Sequence, residues 1–165
     1  MQTIRALRRL RAGAGLAILA ALAACAPTTP PPSVPVAAQP PSCVAAASGD
    51  LLTGNWLSVS SEKGVAGALR TLYTLKPDGT MNYVEQIKRP RTPSQGLYET
   101  GCWSREGQTL VLRTLQSNGV PVNLRDPIYT NRYRVQGVTA HELRMSGPDG
   151  AVRARRMSPG YRLPF

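Results

Sequence analysis

Residues 69–87 read LRTLYTLKPDGTMNYVEQI. Two short alternating runs flank Pro77-Asp78-Gly79, where Pro suits a backbone φ near −65° and Gly suits a position at which φ must be positive. The stretch therefore predicts a tight β-hairpin. From Leu51 onward the same pattern recurs, with short alternating runs, a turn signal every ten or so positions and no window of helical periodicity. That is an all-β signature. Strands are predicted at Gly54–Ser60, Leu69–Lys76, Thr80–Ile87, Gly96–Arg105, Thr109–Gln116, Tyr129–Gln136, Glu142–Ser146 and Ala151–Met157. Pro148-Asp149-Gly150 repeats the hairpin signal, and Glu106-Gly107-Gln108 and Gln136-Gly137 are weaker versions of it. Lys88–Gln95 and Ser117–Pro127 carry Pro and Gly and are expected as surface loops, where function commonly resides. Eight antiparallel strands in up-and-down order hide their edges best by closing into a small barrel.

Composition bounds what such a domain does. The 165 residues hold 20 Lys+Arg against 9 Asp+Glu, for a net charge of +11, with one His and three Cys. That is enough chain for one modest domain. With a single imidazole, no paired-cysteine motif and no Gly-rich phosphate loop, the familiar hydrolase, metalloenzyme and nucleotide-binding constellations are nearly excluded. The reading is of a non-enzyme with no cofactor and no metal.

The N-terminus reads as an export signal: a basic stretch to Arg11, then an uncharged run from Ala12 to Ala24, then Cys25. A bilayer-spanning helix needs about 20 apolar residues, more than this run provides. The run ends Leu22-Ala23-Ala24-Cys25, which resembles the lipobox of bacterial lipoproteins. The resemblance implies cleavage before Cys25, acylation of its thiol and of the new N-terminus, and stable anchoring by several chains. Removing residues 1–24 takes four arginines and no acid, so the mature charge is +7. Arg8-Arg9 reads as ordinary signal charge, because Arg11 interrupts the apolar residues a twin-arginine signal requires. Ala26–Ser42 holds seven of the fifteen prolines and no charge, the composition of an extended tether. Ala26, rather than an aspartate, follows the cysteine, which in lipoproteins of this kind implies passage to the outer membrane; the residues leave the leaflet open, and a periplasm-facing domain is expected. The expected organisation is a signal peptide over 1–24, a lipidated Cys25 and Pro-rich tether over 25–49, and a β-barrel over 50–165. Cys43 and Cys102 remain, and in an oxidising compartment an even pair reads as a disulfide, two buried free thiols being the alternative.

The barrel itself carries a further resemblance. Gly54-Asn55-Trp56 on the first strand, Lys76–Thr80 on a hairpin, Gly101-Cys102-Trp103 before Gly107–Leu112, then Tyr133-Arg134-Val135, Glu142–Met145 and a terminal Arg155-Arg156 are similar in order and spacing to bacterial lipocalin-like (calycin-type) domains. In that family the first-strand tryptophan closes one end of the barrel and a late arginine packs over it. Trp56 fits the first role, and among Arg153, Arg155 and Arg156 the second is assigned to Arg155. Because an eight-stranded barrel is only just wide enough for its own side chains or one small ligand, a largely filled interior is expected.

Three further features bear on function. Trp56 and Trp103 are expected to be core. His141 stands in a turn with no second ligand beside it, so a metal site is not indicated. Lys88-Arg89-Pro90-Arg91 sets three cations on a loop: a solvated turn of a basic protein is the favoured reading, since the loop lacks the interleaved aromatics of a nucleic-acid binder, and a contact for anionic envelope polymers is the alternative. The function these readings imply is a membrane-anchored, non-catalytic binding or scaffold module for an envelope component or a small apolar ligand. The alternative is an inhibitor of a periplasmic protease or lysozyme, from a likeness to small disulfide-bonded barrels of the bacterial metalloprotease inhibitors.

Overall fold

A computed structural model describes residues 42–61, 64, 66–89 and 95–163. The expected signal segment, Cys25, most of the expected tether and Arg91 lie outside the described residues. The chain forms β1 (Gly54–Ser60), β2 (Ala68–Leu75), β3 (Thr80–Lys88), β4 (Gln95–Glu106), β5 (Thr109–Ser117), β6 (Val120–Pro121), a 3₁₀ turn η1 (Pro127–Tyr129), β7 (Thr130–Val138), β8 (Glu142–Gly147) and β9 (Gly150–Met157). Neighbours in sequence pair antiparallel, β5 passes over β6 to pair with β7, and β9 returns to β1 with Trp56 opposite Arg156. The result is a closed, eight-stranded, up-and-down barrel, compatible with a lipocalin-like domain, plus one short extra strand. Among the described residues β6 is a short added edge, and closure removes the unpaired backbone groups an open sheet would display.

The eight strands fall where turn chemistry puts them. In the β2–β3 hairpin the Asp78 carboxylate accepts hydrogen bonds from the Thr80 amide at 2.8 Å and the Thr80 hydroxyl at 2.7 Å, while Gly79 takes φ = +81°. Ser117–Pro127, expected as a surface loop, is not irregular throughout. Part of it doubles back as β6, with Val120 paired to Ser117, and Asp126 caps η1 by accepting from the Ile128 amide.

Residues directly opposite in an antiparallel pair share a face, so the register fixes what lies inside. Trp56, Tyr73, Leu75, Met81, Trp103, Leu110, Leu112, Tyr133, Leu143, Met145 and Ala154 form the inner core with Leu52. A bulge in the β4–β5 pairing falls at Thr100/Gly101. A Cβ on Gly101 would lie 2.0 Å from the Arg113 carbonyl oxygen, so only glycine lets the two strands approach there and leaves Trp103 aimed inward.

A second, smaller cluster lies outside the barrel wall. Leu57, Leu72 and Val84 point outward and are covered by Leu163, with Met157 and Tyr161 beside them. The chain after β9 therefore folds back over β1–β3, and the Asn55 side-chain amide donates to the Ser158 carbonyl at 2.9 Å. Upstream of β1, Cys43 is bonded to Cys102 in a disulfide, the Ala46 amide donates to the Pro77 carbonyl at 2.9 Å, and Leu52 is fully buried. The segment 43–52 thus belongs to the compact barrel unit, upstream of the boundary expected at residue 50.

Candidate functional site

The up-and-down order separates the connections into two sets. The β2–β3, β4–β5 and β7–β8 turns lie at one end with the segment that carries Leu52, and the β1–β2, β3–β4, β5–β7 and β8–β9 connections lie at the other.

The first end is sealed. Trp56 is completely buried and its indole N–H donates to the Leu52 carbonyl at 2.7 Å, while the Trp103 indole N–H donates to the Lys76 carbonyl at 2.8 Å. Over the Trp56 ring, 4.0 Å from its centroid, sits the guanidinium of Arg156. Its Nη1 donates to the Thr53 carbonyl at 2.7 Å and its Nη2 to the Leu51 carbonyl at 2.6 Å. Desolvation lowers the Arg156 pKa from its ordinary value. The assignment of Arg155 to this role is corrected. Arg155 pairs with Leu57 and Glu142 on the outer face and is exposed, whereas Arg156 shares the inward face with buried Ala154. Alternation on β9 admits one parity only, and Ala154 settles which. Gly54 completes the arrangement: it takes φ = +137°, and a Cβ there would lie 2.2 Å from Arg156 Nη1. The glycine two residues before Trp56 is thus the space in which the arginine lies.

Among the described residues the second end is open, and it is chemically different. Tyr73, Tyr83 and Tyr133 meet edge to face, with ring centroids 5.3 Å apart for Tyr73–Tyr83 and 5.9 Å for Tyr73–Tyr133. The Tyr83 hydroxyl donates to Glu85 Oε2 at 2.6 Å. One position deeper along β4, opposite Tyr83, the buried Glu99 accepts at Oε2 from the Thr114 hydroxyl at 3.0 Å. A cavity of about 260 Å³ opens above the tyrosines, walled by Ser58, Thr71, Glu85 and Val152 and rimmed by Asp149. Room for the Tyr133 ring comes from Gly147, where a Cβ would lie 2.6 Å from it. Burial raises the pKa of all three phenols, so each is neutral at physiological pH. Burial also raises the Glu99 carboxyl, against the lowering effect of the Thr114 hydrogen bond and with a further push from the charge of Glu85. The expected filled interior is therefore found in the tryptophan half, and a small polar cavity remains in the other.

The remaining sequence candidates distribute as follows. Lys88 ends β3 at the open end, opposite Ala68 and exposed on the outer face, and Arg89 follows it, half-buried. Gly67, at φ = +114°, lets this backbone approach, since a Cβ there would lie 2.4 Å from the Lys88 carbonyl oxygen. His141 is exposed in the β7–β8 turn, where its amide donates to the Thr139 hydroxyl at 3.2 Å. Among the described residues no group of three His, Cys, Asp or Glu is placed to hold a metal, and no helix is long and apolar enough to cross a membrane.

A larger basic surface than the Lys88 loop went unread in the sequence. Arg113, Arg132, Arg134, Arg144, Arg153 and Arg155 are all exposed at outward positions of β5, β7, β8 and β9. Glu106 pairs with Arg132 at 2.8 Å, and Glu142 with Arg153 at 2.9 Å and Arg144 at 3.3 Å. Two carboxylates against six guanidiniums leave this face strongly positive. Comparison with protein-family models and with curated protein sequences finds no match to the chain.

Proposed function

We propose that the protein is a non-catalytic binding module of the bacterial cell envelope: a lipocalin-like barrel, held to the outer membrane through acylated Cys25 and the Pro-rich tether, that takes a small ligand through its open end. The observation that carries the reading is the asymmetry of the barrel. One end is closed by two hydrogen-bonded indoles, that of Trp56 under an arginine, and the other keeps a concave, polar cavity into which hydroxyls and a carboxylate converge, the usual character of a ligand site. The residues at the closed end serve the fold; those at the mouth are free to serve a ligand. The cavity's size and its Tyr, Ser, Thr and Glu walls favour a small polar ligand over a long apolar chain. The arginine face on β5, β7, β8 and β9 supplies the contact to anionic envelope polymers that the sequence reading placed on the Lys88 loop.

Intact-mass analysis of protein extracted from its own membranes in mild detergent tests the proposal. The expected result is a chain that begins at acylated Cys25 and releases one small molecule per barrel on denaturation. An unacylated chain would overturn the anchored part, and a barrel that carries nothing would overturn the binding part.

A further inference from the structure

The charge inside the mouth is opposite to the charge of the molecule. The chain carries +11, yet among the described residues those that line the mouth cavity include no Lys or Arg, and their ionisable members are Glu85, Asp149, Tyr73, Tyr83 and Tyr133. Behind them lies the buried carboxyl of Glu99. Among the described residues, none of Glu85, Glu99 and Asp149 takes part in an ion pair, although six arginines stand exposed on the outer face of β5, β7, β8 and β9. A partly desolvated carboxylate without a counter-charge is unfavourable unless something compensates it. Glu85 is held in place by the Tyr83 hydroxyl, which spends its only proton on Oε2 and leaves the phenolic oxygen as an acceptor. The walls nearest to it are aromatic rings, whose faces carry partial negative charge. Carboxylate, phenolic oxygens and ring faces all suit a ligand that is positively charged and has donors or polarised methyl groups.

We infer that the barrel mouth is a binding site for a small organic cation, an ammonium group seated against Tyr73, Tyr83 and Tyr133 and paired with Glu85. The inference rests on the mouth being the ligand entrance and adds the class of ligand. The cation approaches past Asp149 on the β8–β9 turn and reaches Glu85, half-buried in the cavity wall, where a charge pair counts for more than it does between fully exposed groups. The aromatic walls make the site selective for alkylated or compact ammonium groups over strongly hydrated metal ions, which require several oxygen ligands in place of their waters.

The test is a titration of the full-length protein, followed by calorimetry and by the tyrosine ring resonances, with choline and with dimethylbutanol, its uncharged carbon isostere. Choline is expected to bind about tenfold or more tightly than the isostere, the factor one good charge-assisted contact supplies, and to weaken as salt rises. Glu85→Gln should remove that preference by lowering choline affinity without changing that of the isostere, and Tyr83→Phe, which frees Glu85 from its hydrogen bond but keeps the ring, should retain it in part. Glu142→Gln, on the outer wall, should change nothing. Glycerophosphocholine in place of choline distinguishes a lipid headgroup from a free amine, by tighter or weaker binding respectively. Equal affinity for choline and its isostere would overturn the inference while leaving a neutral-ligand module standing. Binding of neither would also overturn it, and the intact-mass experiment then decides separately whether the mouth holds any ligand.

Discussion

Replacing Arg156 by Met keeps most of the length and the apolar stem of the side chain and removes the guanidinium. Two charge-assisted hydrogen bonds go with it, to the Thr53 and Leu51 carbonyls at 2.7 and 2.6 Å, together with the contact over the Trp56 ring at 4.0 Å. Hydrogen bonds to charged groups contribute about 1.5–3 kcal/mol each, and a cation–π contact at a partly exposed site about 0.5–1 kcal/mol. Arg156 is only half-buried, so water can replace some of what the two carbonyls lose, and the lower end of each range applies. The expected loss is about 3.5 kcal/mol, or roughly 10–15 °C in Tm for a domain of this size. Arg155→Met, one residue away on the exposed outer face, should stay within about 0.5 kcal/mol. Arg156→Lys should recover less than half of the loss, since an ammonium cannot span both carbonyls as the planar fork does. Urea unfolding followed by tryptophan fluorescence measures all three. A loss below about 1 kcal/mol for Arg156→Met, or equal losses at 155 and 156, would refute the assignment of the lid to Arg156.

The other predictions concern the clasp, a buried carboxyl and the outer wall. Replacing Cys43 and Cys102 by Ser opens a cross-link between residues 59 apart and should lower stability by roughly 4 kcal/mol in the chain-entropy treatment; unchanged urea midpoints for oxidised protein and the double variant would contradict this. Glu99 has a carboxyl pKa raised by burial, so the folded state binds its proton more tightly than the unfolded chain does. Its contribution is complete below the ordinary glutamate value near about 4.3 and is lost as pH rises through the raised value. Glu99→Gln should therefore lose less stability than the parent between acid and neutral pH, and parallel losses would count against a buried, desolvated carboxyl. Reversing Arg134, Arg144 and Arg153 to Glu should weaken binding to vesicles of anionic phospholipid more than reversing Lys88, Arg89 and Arg91 does; a larger effect at the loop would return the anionic contact to it.

The strands were legible because their boundaries are written in turn residues. Pro77-Asp78-Gly79 and Pro148-Asp149-Gly150 fix hairpins by backbone chemistry that tertiary packing does not override. Closure between β1 and β9 is a long-range pairing, and only the order of short motifs pointed to it. The lid arginine was legible to within one residue: alternation separates Arg155 from Arg156, but choosing between them requires knowing that Ala154 faces inward. The C-terminal strap over Leu57, Leu72 and Val84 had a signal in those three apolar residues at outward positions, which become conspicuous once the inner face is known. The arginine face was hidden because its six members come from four strands and become neighbours only through the register. The mouth was partly visible in the hairpin quoted first, where Tyr73, Tyr83 and Glu85 fall on one face. Tyr133, Gly147 and Asp149 join them only when the barrel closes.

The central claim is that the barrel is sealed at its tryptophan end and takes ligand at its tyrosine end. An NMR titration of the protein with choline reads both ends at once, because the two indole N–H signals of Trp56 and Trp103 report on the seal and the ring signals of Tyr73, Tyr83 and Tyr133 on the mouth. With the indoles bonded to Leu52 and Lys76, their signals should exchange slowly with solvent and stay in place while the tyrosine signals move together toward saturation. Movement of the indole signals with the tyrosines unmoved would place the ligand at the other end of the barrel and contradict the account.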